Sequence, residues 1–255
     1  MLLGIDVGNT NIKFALMDGE RIECIFRLTT KAPKTSDEYS NEIITQFTNL
    51  GYKISDADGV IVSSVVPNIM HALTNAIIKT FKMKPLIVGP GMKTGVKLIR
   101  TNPSEVGADR IVGGVSALDL YGGPIIVCDY GTATRFDLFT EEKSFIAAVT
   151  CPGVMISAQA LWGGTAKLPE IEIEDPGTII AQDTIKSLQA GILYGHIGEA
   201  EYIIKRLKEE SGLKDAKVVA TGGMSSVIFP HTDAIDYLEP NLAMHGLRVL
   251  YDKNK

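Results

Sequence analysis

G-I-D-V-G-N-T-N-I-K, residues 4–13, sends an apolar run into a tight turn of aspartate, glycine and small polar side chains, then leaves through a second apolar run. Residues 1–7, 12–17 and 21–28 read as three successive strands, with Asp18-Gly19 marking the turn between the last two. A glycine in such a turn lets the backbone come close to a ligand. Successive backbone amides and hydroxyls there can bind phosphate oxygens. A carboxylate beside them can hold a bridging cation, and Lys13 can add a point charge. One copy reads equally well as a plain turn, because Gly-Asn and Asn-Thr are ordinary turn residues.

The design recurs in D-Y-G-T-A-T-R-F-D-L-F-T-E-E-K, residues 129–143, which follows the apolar run 125–128. Asp-x-Gly, small polar residues, a second strand, a charged turn and a third strand come in the same order. From Asp6 to Asp129 the repeat spans roughly 123 positions, nearly half the chain, which points to two duplicated domains rather than a solenoid. Two such turns can grip a polyphosphate from both sides of a cleft.

The intervening elements are those of an α/β layer structure. A helix is expected at 35–50, capped by Thr35 or Ser36, then a strand at 60–65, a helix at 68–81 and a strand at 86–88. Ser104 opens a helix to Leu120, and residues 107–121 are expected to form a helical hinge. Helices follow at 154–162 and 183–211, then a strand at 217–220 entering Thr221-Gly222-Gly223, and a last helix at 241–252. The expected domains are 1–117 and 118–255.

Of the 255 residues, 45% are hydrophobic and 22% charged, enough for a large core. A net charge of −5 argues against a dedicated nucleic-acid binder, which carries a basic face. Cys24, Cys128 and Cys151 are too few and too scattered for a disulfide frame or a C-x-x-C metal site. No apolar run is long enough to span a bilayer, and the expected location is the cytoplasm. The four histidines lack metal-ligand spacing, and none is assigned chemistry.

D-V-G-N-T-N-I-K, N-P-S-E-V-G-A-D-R (102–110), D-Y-G-T-A-T, A-K-L-P (166–169), D-T-I-K-S-L-Q-A-G-I (183–192) and T-G-G together resemble the type III pantothenate kinases, in their order along nearly the whole chain. That family belongs to the actin-like superfamily of acetate and sugar kinases. The resemblance implies two ribonuclease H-like, actin-like domains around a nucleotide cleft. It also implies ATP-dependent phosphorylation of pantothenate to 4′-phosphopantothenate, the first step of coenzyme A biosynthesis. Asp6, Val7, Gly8, Asn9, Thr10, Asn11, Ile12 and Lys13 match the first phosphate motif, with Asp6 near Mg²⁺ through phosphate or water. Gly107, Ala108, Asp109 and Arg110 match the pantothenate motif, Asp109 being the general base. Asp129 matches a monovalent-cation position (K⁺ or NH₄⁺), Thr132 an ATP contact, and Gly222 and Gly223 the turn at the adenosine end. Thr184 matches a pantothenate contact supplied across a homodimer interface.

Three positions depart from the family pattern. Ala147-Ala148 stands where a glycine pair is usual, Arg100 where a pantothenate-lining tyrosine is common, and Arg135 where a threonine follows T-A-T. Outside this motif context Asp109 and Arg110 would read as surface ion-pairing groups, and Asp129 as a strand-end turn former. The departures keep two alternatives open: a nucleotide-binding regulator with weakened catalysis, and a kinase for another small hydroxylated acid.

Overall fold

The computed structural model describes residues 1–99, 102 and 105–255. The chain divides into two compact units, and each carries its own sheet. In the first unit β1 (Leu2–Val7), β2 (Asn11–Asp18) and β3 (Arg21–Thr29) form the antiparallel meander read from the sequence. Helix α1 (Ser36–Asn49) then leads to β4 (Gly59–Ser64), and α2 (Pro67–Phe81) leads to β5 (Leu86–Ile87). Both later strands run parallel to β1, giving the order β3-β2-β1-β4-β5.

Thr35, not Ser36, caps α1. Its hydroxyl accepts from the Glu38 amide at 3.3 Å while the Glu38 carboxylate accepts from the Thr35 amide at 2.7 Å, a reciprocal capping box. Apolar alternation along β1 and β2 sends Leu3, Ile5, Ile12, Phe14 and Leu16 into a core closed by Tyr39, Ile43 and Phe47 of α1 and by Leu73 and Ile77 of α2. Each such side chain contributes about 1.5–3 kcal/mol on full burial.

After the two-residue strand β6 (Lys97–Leu98) and helix α3 (Ala108–Tyr121), the second unit repeats the plan. Strands β7 (Ile125–Tyr130), β8 (Ala133–Phe139) and β9 (Ser144–Pro152) form the meander, followed by α4 (Val154–Gly163) and α5 (Thr184–Ser211). Then come β10 (Lys217–Thr221), the short α6 (Ser225–Ile228) and β11 (Tyr237–Leu238), with β10 parallel to both β7 and β11. The order β9-β8-β7-β10-β11 mirrors the first sheet, with β6 added beyond β9. Topology therefore preserves a duplication that residue identity barely shows.

Two boundaries differ from the sequence reading. Helix α3 begins at Ala108 rather than at the expected Ser104, which itself lies outside the described residues. The last helix, α7 (Leu242–Asn254), belongs to the first unit, together with the described residues between 101 and 119. Its docking explains why: a Cβ on Gly59 would lie 2.2 Å from the Tyr251 hydroxyl, and one on Gly246 2.2 Å from the Val112 carbonyl. Only glycines admit so close an approach. The division at 117/118 thus misses one helix that the chain returns to its first sheet. Among the described residues no helix is long and apolar enough to cross a membrane.

Candidate active site

In the first unit the polar turn sits at the carboxyl ends of the parallel pair β1 and β4, where ligands bind in open α/β sheets. The Gly8 amide donates to the Asn11 carbonyl at 3.0 Å, closing a tight hairpin whose tip, Asn9 to Asn11, is exposed. Thr30 holds it from behind. Its hydroxyl donates to the Gly8 carbonyl at 2.8 Å and its amide to the Thr10 carbonyl at 3.1 Å. Val7 and Ile12 are buried and anchor the two strands.

Asp6 pairs in register with Lys13 on β2 and with Ser63 on β4, so three polar side chains form a row across one sheet face. The Ser63 hydroxyl is fully buried and has no hydrogen-bond partner among the described residues, an orphan that calls for a ligand or water. Nothing in the sequence singled out Ser63; only the strand register places it beside Asp6.

Gly107, Ala108, Asp109 and Arg110 join the same end of this unit. A Cβ on Gly107 would lie 3.7 Å from Val65, whose amide donates to the Val7 carbonyl at 3.1 Å. The Asp109 carboxylate accepts from the Arg110 amide at 2.9 Å, and its Oδ1 covers Gly107 so closely that a Cβ there would be 2.5 Å away. A side chain at 107 would therefore displace the carboxylate. As the second residue of α3, Asp109 also sits where the helix dipole favours an anion.

In the second unit Asp129 stands at the carboxyl end of β7, between Arg135 on β8 and Thr221 on β10. Tyr130, Cys128 and Phe136 point to the opposite face and pack into the α4–α5 core. Burial pushes the Cys128 thiol and the Tyr130 phenol up from their ordinary values, the Asp137 and Asp129 carboxylates adding to the first. The turn Gly131-Thr132 is held by Gly153, the residue before α4, where a Cβ would lie 2.2 Å from the Thr132 carbonyl and 2.6 Å from that of Gly131. Gly222, at φ +92°, packs on Asp129: a Cβ there would be 2.6 Å from Oδ1. Gly223 beside it is exposed.

The three departures separate on inspection. Ala148 lies opposite Asp137 and shares the face of Asp129, whereas Ala147 lies opposite Leu138 and lines a groove of about 630 Å³ with Ile146, Val149 and Leu207. At most one of the two added methyls faces the proposed ligand side. The Arg135 guanidinium is hydrogen-bonded and ion-paired to Asp129 Oδ2. Arg100 lies outside the described residues.

The residues at Asp129 do not fit the monovalent cation that the resemblance implies. One carboxylate oxygen is taken by Arg135, and the backbone of Gly222 packs so near the other that a Cβ there would lie 2.6 Å from it. A second unit positive charge about 4 Å from the guanidinium would be repelled by about 4 kcal/mol at an effective dielectric near 20. Thr184, the first residue of α5 after its cap Asp183, is exposed, as are Ile179, Ile180 and Ile185 close to it in sequence.

A sequence profile of the type III pantothenate kinase family matches residues 2–206. The chain belongs to that family. A type III pantothenate kinase of Agathobacter rectalis is 49% identical over 99% of this chain and 97% of its own length. One from Geobacillus kaustophilus is 46% identical over 100% and 98%. Among solved structures, a Baf family protein of Campylobacter jejuni superposes with a TM-score of 0.58 at 18% identity, covering 98% of this chain and 97% of that one. The ROK hexokinase of Thermus thermophilus gives 0.50 at 9% identity, with 98% and 97% covered. At these identities the likeness is one of fold, and it agrees with two ribonuclease H-like sheets in a type III pantothenate kinase.

Proposed function

We propose that this protein transfers the γ-phosphoryl group of ATP to the primary hydroxyl of pantothenate, giving 4′-phosphopantothenate for coenzyme A biosynthesis. The observation that carries the reading is the placement of Asp109 beside the carboxyl ends of β1 and β4, in the same unit as the Asp6–Lys13 turn. Phosphoryl transfer asks mainly for positioning and charge neutralisation. In the first unit the amides of Gly8 to Asn11 and the Lys13 ammonium are the phosphate-binding groups; in the second, Thr132, Gly222 and Gly223 are the nucleotide-contacting ones.

Among the described residues no cluster of three His, Cys, Asp or Glu side chains is built to hold a metal. Asp6 would hold a Mg²⁺ ion largely through phosphate and water, as this small hard ion is commonly bound. The Asp6 carboxylate and the orphaned Ser63 hydroxyl beside it fit such an ion. When bound, it supplies charge neutralisation for the transferring group. Asp109 orients the acceptor hydroxyl and takes its proton, while Arg110 offers its planar fork to the pantothenate carboxylate.

A second copy of the chain covers Ile179, Ile180 and Ile185 and brings its Thr184 to the pantothenate site. Exposures of 73%, 79% and 52% for these isoleucines support a homodimer.

The test is ADP release from Mg·ATP with and without pantothenate, for the wild type and for Asp109→Asn. Loss of a positioned base lowers turnover about 10²–10⁴-fold. Folded Asp109→Asn protein with nearly full turnover would remove Asp109 from the role of base. Absence of pantothenate-dependent ADP release in the wild type would remove the activity itself.

A further inference from the structure

Asp129 and Arg135 are direct cross-strand neighbours on β7 and β8, so their side chains leave the same face of the sheet. The pair is substantially shielded, with side-chain exposures of 24% for Asp129 and 16% for Arg135. The backbone of Gly222 packs against the carboxylate, where a Cβ would lie 2.6 Å from Oδ1. The guanidinium is thus set by strand register and by a charge-assisted bond, at the end of the sheet where the second phosphate turn begins.

We propose that Arg135 is a tethered cation of the nucleotide site, standing where a diffusible K⁺ or NH₄⁺ would otherwise bind Asp129, so that ATP binding and turnover require no monovalent cation. This inference rests on the ATP-binding reading above. The charge balance is unchanged: Asp129 with a guanidinium carries the same net charge as Asp129 with one alkali ion. An arginine remains protonated across the working pH range. Its planar fork has five N–H donors, enough to bond a carboxylate on one edge and a phosphate oxygen on another. A tethered charge has no binding equilibrium to satisfy and no dependence on salt composition. A threonine at 135 would leave the Asp129 carboxylate open to an ion from solution.

The experiment compares wild type, Arg135→Thr, Arg135→Gln and Arg135→Lys in KCl, NH₄Cl, NaCl and choline chloride at equal ionic strength. Two readouts are taken: ATP affinity by calorimetry, and pantothenate-dependent ADP release. Thermal unfolding of each variant confirms that it is folded. Wild-type values are expected to agree within about twofold across all four salts. Arg135→Thr is expected to lose at least about tenfold in choline, the scale of losing one charge-stabilising group, and to recover in K⁺ or NH₄⁺ with a saturable dependence. Arg135→Gln, which keeps the length but not the charge, should weaken in choline, and Arg135→Lys should retain salt independence.

A wild type whose ATP affinity or turnover rises several-fold in K⁺ over choline would overturn the inference. So would a folded Arg135→Thr that matches the wild type in choline. If ATP affinity follows the expected pattern but pantothenate gives no ADP release, the tethered cation stands and the pantothenate kinase reading falls.

Discussion

Substituting Gly153 by alanine tests whether the Gly131-Thr132 turn must sit where it does. The backbone of Gly153 has φ −70° and ψ 159°, which alanine adopts freely, so any effect is steric. The new methyl would lie 2.2 Å from the Thr132 carbonyl oxygen, and real Cβ contacts essentially never fall below 3.0 Å. The turn must therefore retreat by about 0.8 Å, or the start of α4 must move by the same amount. Both obstacles are backbone atoms, so no side-chain rotation relieves the clash.

Overpacking of this kind typically costs 1–3 kcal/mol of stability, about 2 kcal/mol being a fair centre. A displacement near 1 Å of a substrate-positioning group costs about 10²-fold in rate. The expected result is a folded protein with a lower urea midpoint, and pantothenate-dependent kcat/KM reduced by about two orders of magnitude. ATP affinity should weaken alongside. If Gly153→Ala matches the wild type in urea midpoint, ATP affinity and turnover, the turn is neither tightly packed nor part of the phosphate site.

Two further outcomes bear on local chemistry. Burial raises the Cys24 and Cys151 thiols above their ordinary 9.0, Glu199 adding to the second, and fully buried Cys128 lies higher still; Ellman's reagent at pH 7.5 should therefore find no fast thiol, and rapid labelling of any native cysteine would contradict the packing. Thr35→Ala should cost about 1 kcal/mol by removing the α1 cap, read from urea unfolding. Hydrogen bonds from Thr35 hold the Glu38 carboxyl below its ordinary 4.5, so that contribution is present above pH 4.5 and is lost as pH falls through the lowered value. The gap between wild type and Thr35→Ala should accordingly narrow in acid; a gap that widened would show the capping box was not the source.

The meander strands and long helices were legible because their periodicity is long enough to distinguish 2 from 3.6 residues per repeat. Asp6 and Asp129 could be found because each ends an apolar run just before a glycine. Two-residue strands such as Lys97–Leu98 and Tyr237–Leu238 carry no period and were missed. Ser63 escaped because its value depends on lateral register, six residues of parallel pairing between β1 and β4 that no local pattern announces. Arg135 was visible as an oddity after T-A-T, but its bond to Asp129 needed the β7–β8 pairing. The two alanines at 147 and 148 looked like one departure; strand alternation sends them to opposite faces and makes them two.

The placement of α7 against β1 and β4 has a consequence for synthesis. Translation delivers the first meander before the second unit, yet the helix that covers one face of that sheet is made only after that unit. Domains often mature in N-to-C order during synthesis, but here the first sheet must wait, with the surface meant for Met244, Leu247 and Tyr251 uncovered, until the second unit has been made. Completion of the first unit thus depends on synthesis having passed the second: a chain cut between Asn241 and Leu242 would carry the second unit whole and the first without one of its helices.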